Sequence, residues 1–341
     1  MSVLAEQLLL LGRGQALSAA DCSATISALL DEHIPLESAK QWLLELNAVG
    51  LSVDEIYGAA QAMRARSIRV VHDCPLLLDV CGTGGDGLHT INISTAVAFV
   101  VAACGLPVAK HGNRAASSRC GSADVLEALG VDLRLTPAQA QAQLASGGVA
   151  FLFAQQYHPA LQTLAPLRKA IGTRTIFNLL GPLINPAQPT HQLIGVADPA
   201  LLLVMAQAAR RLGVQAGAIV NSEQGLDEIS GDSPTRVLSF RGDAFEEQMI
   251  NPADYGIHTP LTALRGGDAR ENAAALLAIL SGRAELQADV VALNAAVALW
   301  VAGQVDSIAA GVEQARSALA SGRAMEHLAR LQQLKGEARD G

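Results

Sequence analysis

The chain of 341 residues is long enough for one large core plus a smaller helical domain, and because it is half apolar yet only 3% aromatic, the core is expected to be aliphatic helices packed on a sheet. Its 32 acidic residues outnumber 24 basic ones, for a net charge of −8, which speaks against nucleic acid as a partner because such binders carry basic patches. Arg, Asn, Gln or Gly breaks every apolar run before it reaches membrane-span length, and no basic-then-apolar leader opens the chain, so a cytoplasmic protein with no membrane partner is expected.

Residues 1–72 read as amphipathic helices with no strand pattern between them. Leu4, Leu8, Leu9 and Leu11 form an apolar patch, and Ser18 caps a segment carrying Ile26, Leu29 and Leu30. Pro35 opens a third helix with Trp42, Leu43 and Leu46, and a fourth from Val53 to Arg66 sets Ile56, Ala60 and Met63 on one face. Arg64, Arg66 and Arg69 form a dense cationic cluster that reads as a solvated helix end.

From residue 76 short apolar strands alternate with helices. Expected strands are Leu76 to Val80, Val108 to His111, Val131 to Leu135, Val149 to Phe153, Leu193 to Val196 and Ala218 to Asn221, with two more between Thr235 and Ile250. Thr136-Pro137 and Asp198-Pro199 are helix starts, each a capping residue followed by proline. Everything after Glu271 reads as helix, with Ala273 to Leu280 and Ala288 to Val301 apolar enough to be buried, and Lys335 to Gly341 as a frayed charged tail. The expected fold class is α/β: a small all-helical N-terminal domain over residues 1–72, and a large domain over residues 73–341 whose central, largely parallel sheet is flanked by helices. Ligands of such sheets gather at the loops after the strand ends, which puts the loops after Val80, His111 and Asn221 on one edge.

Those loops carry the chemistry. Gly82, Gly84, Gly85 and Gly87 let backbone amides turn toward an anion. Thr90, Asn92, Ser94 and Thr95 supply donors, and Ser94 or Thr95 is placed to cap the apolar helix that runs to Cys104, whose dipole favours an anion at its start. Lys110-His111-Gly112-Asn113-Arg114 sets two cations around a glycine and a carboxamide, and Ser117, Ser118, Gly121 and Ser122 add donors before a helix near Ala123. This is enough for two phosphate groups. The glycines also fit G-x-G-x-x-G, but a dinucleotide site needs an acid about twenty residues further on, and Val101 to Lys110 has none; no Lys-Ser or Lys-Thr pair completes a nucleotide P-loop. Cys22, Cys74, Cys81, Cys104 and Cys120, odd in number and without a C-x-x-C pair, read as small core fillers.

GTGGDG, then T-x-N-I-S-T, then KHGNR-x-x-S-S-x-x-G-S-A-D resembles the anthranilate phosphoribosyltransferase family. The likeness continues through FLFA and H-P-A at 151–160, PLRKAIGTRTIFNLLGPLINP at 166–186 and GLDEIS at 225–230, and so spans most of the chain in the right order. Pyrimidine nucleoside phosphorylases share the architecture but have a loop resembling KHGGR, without the carboxamide of Asn113. A nucleic-acid-binding relative that has lost the acceptor site is expected to lack Arg168 or the acidic pair and to be basic, unlike this chain. Gln155 and Gln156 stand where proline or a basic residue is common, which touches only the acceptor entry channel.

The resemblance implies a transferase that joins anthranilate to 5-phosphoribosyl 1-pyrophosphate (PRPP) with two Mg²⁺ per subunit, and a homodimer through the helical domain, which gains later helices near 160–185. It assigns PRPP to Gly82, Gly85, Asp86, Thr90, Asn92, Ile93, Ser94 and Thr95, to the run Lys110, His111, Gly112, Asn113, Arg114, Ala115, Ala116, Ser117 and Ser118, and to Ser122. Anthranilate falls to Gly82, Asn113 and Arg168, whose guanidinium suits a carboxylate through two parallel hydrogen bonds. The metal falls to Ser94, Asp227 and Glu228. Without the resemblance, Arg168 beside Lys169 is an exposed helix face and Asp227-Glu228 a solvated turn. The implied reaction has no covalent nucleophile; Lys110, Asn113 and Arg168 act by charge and position, and His111 is either a proton acceptor or a simple loop contact. Arg174 is expected to shape the hinge between domains.

Overall fold

A computed structural model describes residues 3–115 and 119–334; the expected frayed tail from Lys335 lies outside them. Four helices come first: α1 (Val3–Leu11), α2 (Ala19–Leu30), α3 (Leu36–Val49) and α4 (Val53–Ala65). Ser18 caps α2 by accepting from Asp21 N, and Ser52 with Glu55 forms a capping box on α4. Glu55 is fully buried but satisfied, since its second oxygen accepts from Leu17 N at 2.8 Å. Gly58 has no room for a side chain against the backbone of Ala19, which lets α4 pack closely on α2.

The sheet strands are β1 (Leu78–Gly82), β2 (Val108–Gly112), β3 (Val149–Phe153), β4 (His191–Gly195), β5 (Ala216–Ser222), β6 (Thr235–Arg241) and β7 (Ala244–Ile250), in spatial order β3-β2-β1-β4-β5-β6-β7. The first five in that order are parallel, and β6 and β7 extend the edge as an antiparallel pair. Between and after them run α5 (Ile93–Ala103), α6 (Ser122–Ala128), α7 (Pro137–Ala145), α8 (Ala154–Tyr157), α9 (Ala165–Ile171), α10 (Leu201–Arg211), α11 (Ala269–Leu280), α12 (Glu285–Val301), α13 (Ile308–Ala320) and α14 (Arg323–Gln333).

One apolar cluster joins α5 and α11 to α14 to one sheet face through residues such as Val80, Phe99, Val220 and Val297. A second joins Trp42, Leu43, Ile56 and Met63 of the N-terminal helices to Leu164, Phe177 and Leu183, and continues through Met205 to Ile194 on the opposite face. Helices thus cover both faces, as a buried parallel sheet requires. No single helix among the described residues is long and apolar enough to cross a membrane; α12, buried from Val290 onward except at Trp300, is a core helix.

Three expectations change. Val131 to Leu135 is not a strand: its alternation buries Val131, Leu133 and Leu135, but the Leu135 carbonyl accepts from Tyr157 Oη at 2.7 Å and Gln156 Nε2 at 2.8 Å instead of joining a ladder. Asp198-Pro199 forms a turn before α10, which begins at Leu201. The three arginines are not one solvated cluster either. Arg64 is largely buried and donates to the carbonyls of Leu183 at 2.7 Å and Leu212 at 2.8 Å, tying α4 to the sheet side, while Arg66 pairs with Asp31 and Arg69 reaches Gln188. Burial brings the Arg64 guanidinium down to about 10.

The loop after β5 is fixed from below by α12. Buried Asn294 accepts from Ile229 N and donates to Ile229 O, both at 2.9 Å, immediately after Asp227 and Glu228. Asn294→Leu strands both groups away from water, and is expected to cost about 2–4 kcal/mol of stability in a urea titration.

Candidate active site

The parallel strands deliver their C-terminal ends to one edge, where Gly82, Gly112, Gly195 and Ser222 meet the loops. Small size is obligatory at all three glycines. A Cβ on Gly82 would collide with the Asp227 carboxylate, and one on Gly195 with the Asp227 backbone. Gly84 and Gly85 take left-handed backbone, φ 69° and 80°, that a side chain would resist. The turn they make aims Gly84 N at Asp227 Oδ2, 2.7 Å away.

The same edge brings Asp227 and Glu228 to the start of α5. Glu228 Oε1 accepts from Ser94 N at 3.2 Å, a carboxylate at the positive end of a helix dipole. Asn92, not Ser94 or Thr95, occupies the N-cap position, and its side chain makes no capping bond; it is spent on Cys120 O and on Asn272 of α11. Ile93 and Thr95 are buried, and Thr95 Oγ1 has no partner among the described residues. Lys110 is buried as well, donating to Val80 O at 2.8 Å and Ser94 Oγ at 3.2 Å. Burial raises both carboxyls, Asp227 further by the nearby Asp86 and Glu228 further by Asp227, with Lys110 offsetting part of the Glu228 shift.

This donor set fits a small hard cation. Among the described residues no three His, Cys, Asp or Glu side chains form a closed cage. Two carboxylates and the Ser94 hydroxyl instead resemble Mg²⁺ sites completed by water and substrate phosphate.

The segment after β2 is more committed than its sequence suggests. Arg114 pairs with Asp124 at 3.0 Å and Glu127 at 2.7 Å, which raises its guanidinium pKa further, while Asp124 also accepts from Ala115 N and Gly121 N. Asn113 is exposed, its Oδ1 accepting from Arg114 N, and its carbonyl takes Ser122 Oγ and Ala123 N. Gly112 leaves space for Ser122 and Phe151. Thr90 bridges to Arg265, and Asp86 turns its own loop by accepting from Leu88 N. Ala116, Ser117 and Ser118 lie outside the described residues. Buried His111 donates Nδ1–H to Gly181 O at 2.9 Å, its Nε2 has no partner among the described residues, and burial lowers it to about 4.

Arg168 is exposed on α9, apart from the sheet edge in sequence but on the segment that packs against α3. Arg174 reaches the edge directly, donating to Gly84 O at 2.8 Å. Sequence reasoning missed two supports. Asp79, fully buried in β1, accepts from His111 N at 3.3 Å and from Asn185 Nδ2 at 2.9 Å, and an acid inside an apolar strand was the available signal. The other is His158, whose ring lies 5.1 Å from that of His111.

Comparison with known proteins gives one consistent result. The a/b domain of a glycosyl transferase family matches residues 75–325. Anthranilate phosphoribosyltransferase of Synechococcus sp. (strain JA-3-3Ab) is 48% identical over 319 residues, 93% of each chain. The Novosphingobium aromaticivorans protein of that name is 46% identical, covering 90% of this chain and 93% of its own. The crystal structure of the Thermus thermophilus enzyme superposes with a TM-score of 0.90 at 40% identity, covering 97% of this chain and 98% of that one. The Saccharomyces cerevisiae enzyme in complex with PRPP and Mg gives 0.86 at 27% identity, with 96% of each chain covered.

A carboxyl whose folded pKa is raised destabilises the fold once it ionises, so this penalty is absent at low pH and grows as pH climbs above the ordinary carboxylate range. Asp227→Asn removes the charge and keeps an acceptor for Gly84 N. Without metal, its melting temperature is expected to exceed that of the parent at about pH 8 and to converge with it near about pH 4, as read by differential scanning calorimetry.

Proposed function

The chain belongs to the anthranilate phosphoribosyltransferases, glycosyl transferases of tryptophan biosynthesis that move the phosphoribosyl group of PRPP onto the anthranilate amine, and from that premise we propose how its own residues divide the work. The observation that carries the proposal is the convergence, on one sheet edge, of the glycine turn, the start of α5 and the buried pair Asp227 and Glu228. Gly82, Gly85 and Asp86, with Thr90, Asn92, Ser94 and Thr95, receive the diphosphate, and the segment from Asn113 to Ser118, with Ser122, receives the 5-phosphate. Ser94, Asp227 and Glu228 hold Mg²⁺, two ions per subunit. When bound, Mg²⁺ stabilises the charge that develops on the departing diphosphate.

Gly82, Asn113 and Arg168 hold anthranilate, with the Arg168 fork on its carboxylate. The neutral aniline nitrogen is already nucleophilic and attacks C1 of an oxocarbenium-like ribose from the face opposite the leaving group. No strong base is required beforehand. The proton is released after attack, and His111, held neutral by burial with its Nε2 sequestered, serves as a loop contact through Gly181 O. Catalysis is therefore mainly positioning and electrostatics, and positioning supplies about 7–11 kcal/mol in favourable intramolecular cases. The protein works in the cytoplasm as a homodimer through its helical part, a reading supported by the exposed Val3, Leu9, Leu36 and Leu44 of α1 and α3.

Loss of anthranilate fluorescence only when PRPP and Mg²⁺ are both present is the expected result of an omission assay. In the same assay Arg168→Ala should raise the KM for anthranilate at least about tenfold more than that for PRPP, the scale of a lost charge-assisted pair; equal changes would remove Arg168 from the acceptor site. Because raised carboxyls must release protons to bind a cation, Mg²⁺ affinity in calorimetric titration is expected to increase from about pH 5 to about pH 8.

A further inference from the structure

We propose that Arg174 is a positioning residue that couples acceptor binding on the helical side to phosphoribosyl binding at the glycine turn. Its guanidinium donates to Gly84 O at 2.8 Å, and its own carbonyl accepts from Asn47 Nδ2 of α3. The residue is thus pinned at both ends, across two parts of the chain far apart in sequence.

The contact sits where small displacements matter. The Gly84 C=O is held by Arg174 while the N–H of the same residue is held by Asp227 Oδ2 at 2.7 Å. Moving the guanidinium therefore turns the peptide planes on either side of Gly84, and with them the amides that face the diphosphate. Gly85 is fitted to this guanidinium, because a Cβ there would collide with it, and its φ of 80° would be strained for any other residue.

The other end leads to the acceptor. Arg174 follows α9 after only Gly172 and Thr173, and Gly172, at φ 68°, ends the helix that carries Arg168. α9 packs against α3, the helix that supplies Asn47. A carboxylate drawn onto Arg168 biases α9, and the short link passes that bias to Gly84. The Arg174 to Gly84 hydrogen bond is exposed, so water can take either partner's place and the strut can be made or broken during turnover. By linkage each ligand then raises the affinity for the other by the same factor.

This inference rests on the assignment of Arg168 to anthranilate. Anthranilate and Mg²⁺-pyrophosphate occupy both sides without turnover, so calorimetric titration of anthranilate with and without Mg²⁺-pyrophosphate reads the coupling directly. The parent protein is expected to show a gain on the order of tenfold. Arg174→Ala and Asn47→Ala should bring that ratio to about one, and Arg174→Lys, which keeps one donor, should restore part of it. An unchanged ratio in both alanine variants overturns the proposal, as does equal weakening of both ligands with the ratio retained, the mark of a merely structural residue. Arg168→Ala without pyrophosphate separates the two readings. If anthranilate affinity is unaffected there, the acceptor assignment fails, whatever ratio the parent shows.

Discussion

Two carboxylates held together in a buried place are the constraint on which the site depends. Asp227 and Glu228 repel each other, and burial alone would drive protons onto both. The fold keeps them poised by surrounding them with backbone donors: Gly84 N on one, Ser94 N on the other. Gly82 and Gly195, each at the end of a parallel strand, leave the space in which Asp227 sits. Asn294 then locks the next residue from beneath, so the pair cannot relax by swinging into solvent. Local stability is given up to hold two acids in a buried place, an arrangement that a bound cation would relieve.

The parts of this arrangement that were legible in the sequence are those encoded locally. A glycine run after an apolar strand, strands alternating with helices, and a Thr-Pro helix start each depend on a few neighbouring residues, and the structure has them where expected, within a residue or two at most boundaries. What stayed hidden depends on partners far along the chain. Val131 to Leu135 alternates like a strand because one of its faces is buried, but only the position of Tyr157 and Gln156 shows that its Leu135 carbonyl is satisfied outside the sheet. Arg64 looks like a surface charge until Leu183 and Leu212 bring their carbonyls to it. Ser94 has the composition of a cap, yet Asn92 holds the cap position and Ser94 N is given to a residue 134 positions away.

The two cations that advertise an anion site in the sequence have, in the fold, largely been used. Lys110 lies beneath the sheet edge on Val80 O and Ser94 Oγ, near enough to moderate Glu228, and Arg114 is neutralised by Asp124 and Glu127. An anion approaching the acidic pair therefore meets two carboxylates that would repel it, while Arg174 is held against the glycine turn through Gly84 O. A divalent cation held by those acids would reverse the sign of that interaction. On the proposed reading the acidic pair and the prior commitment of Lys110 and Arg114 are a single feature: the site would depend on a bound metal for its attraction to a polyanion such as PRPP.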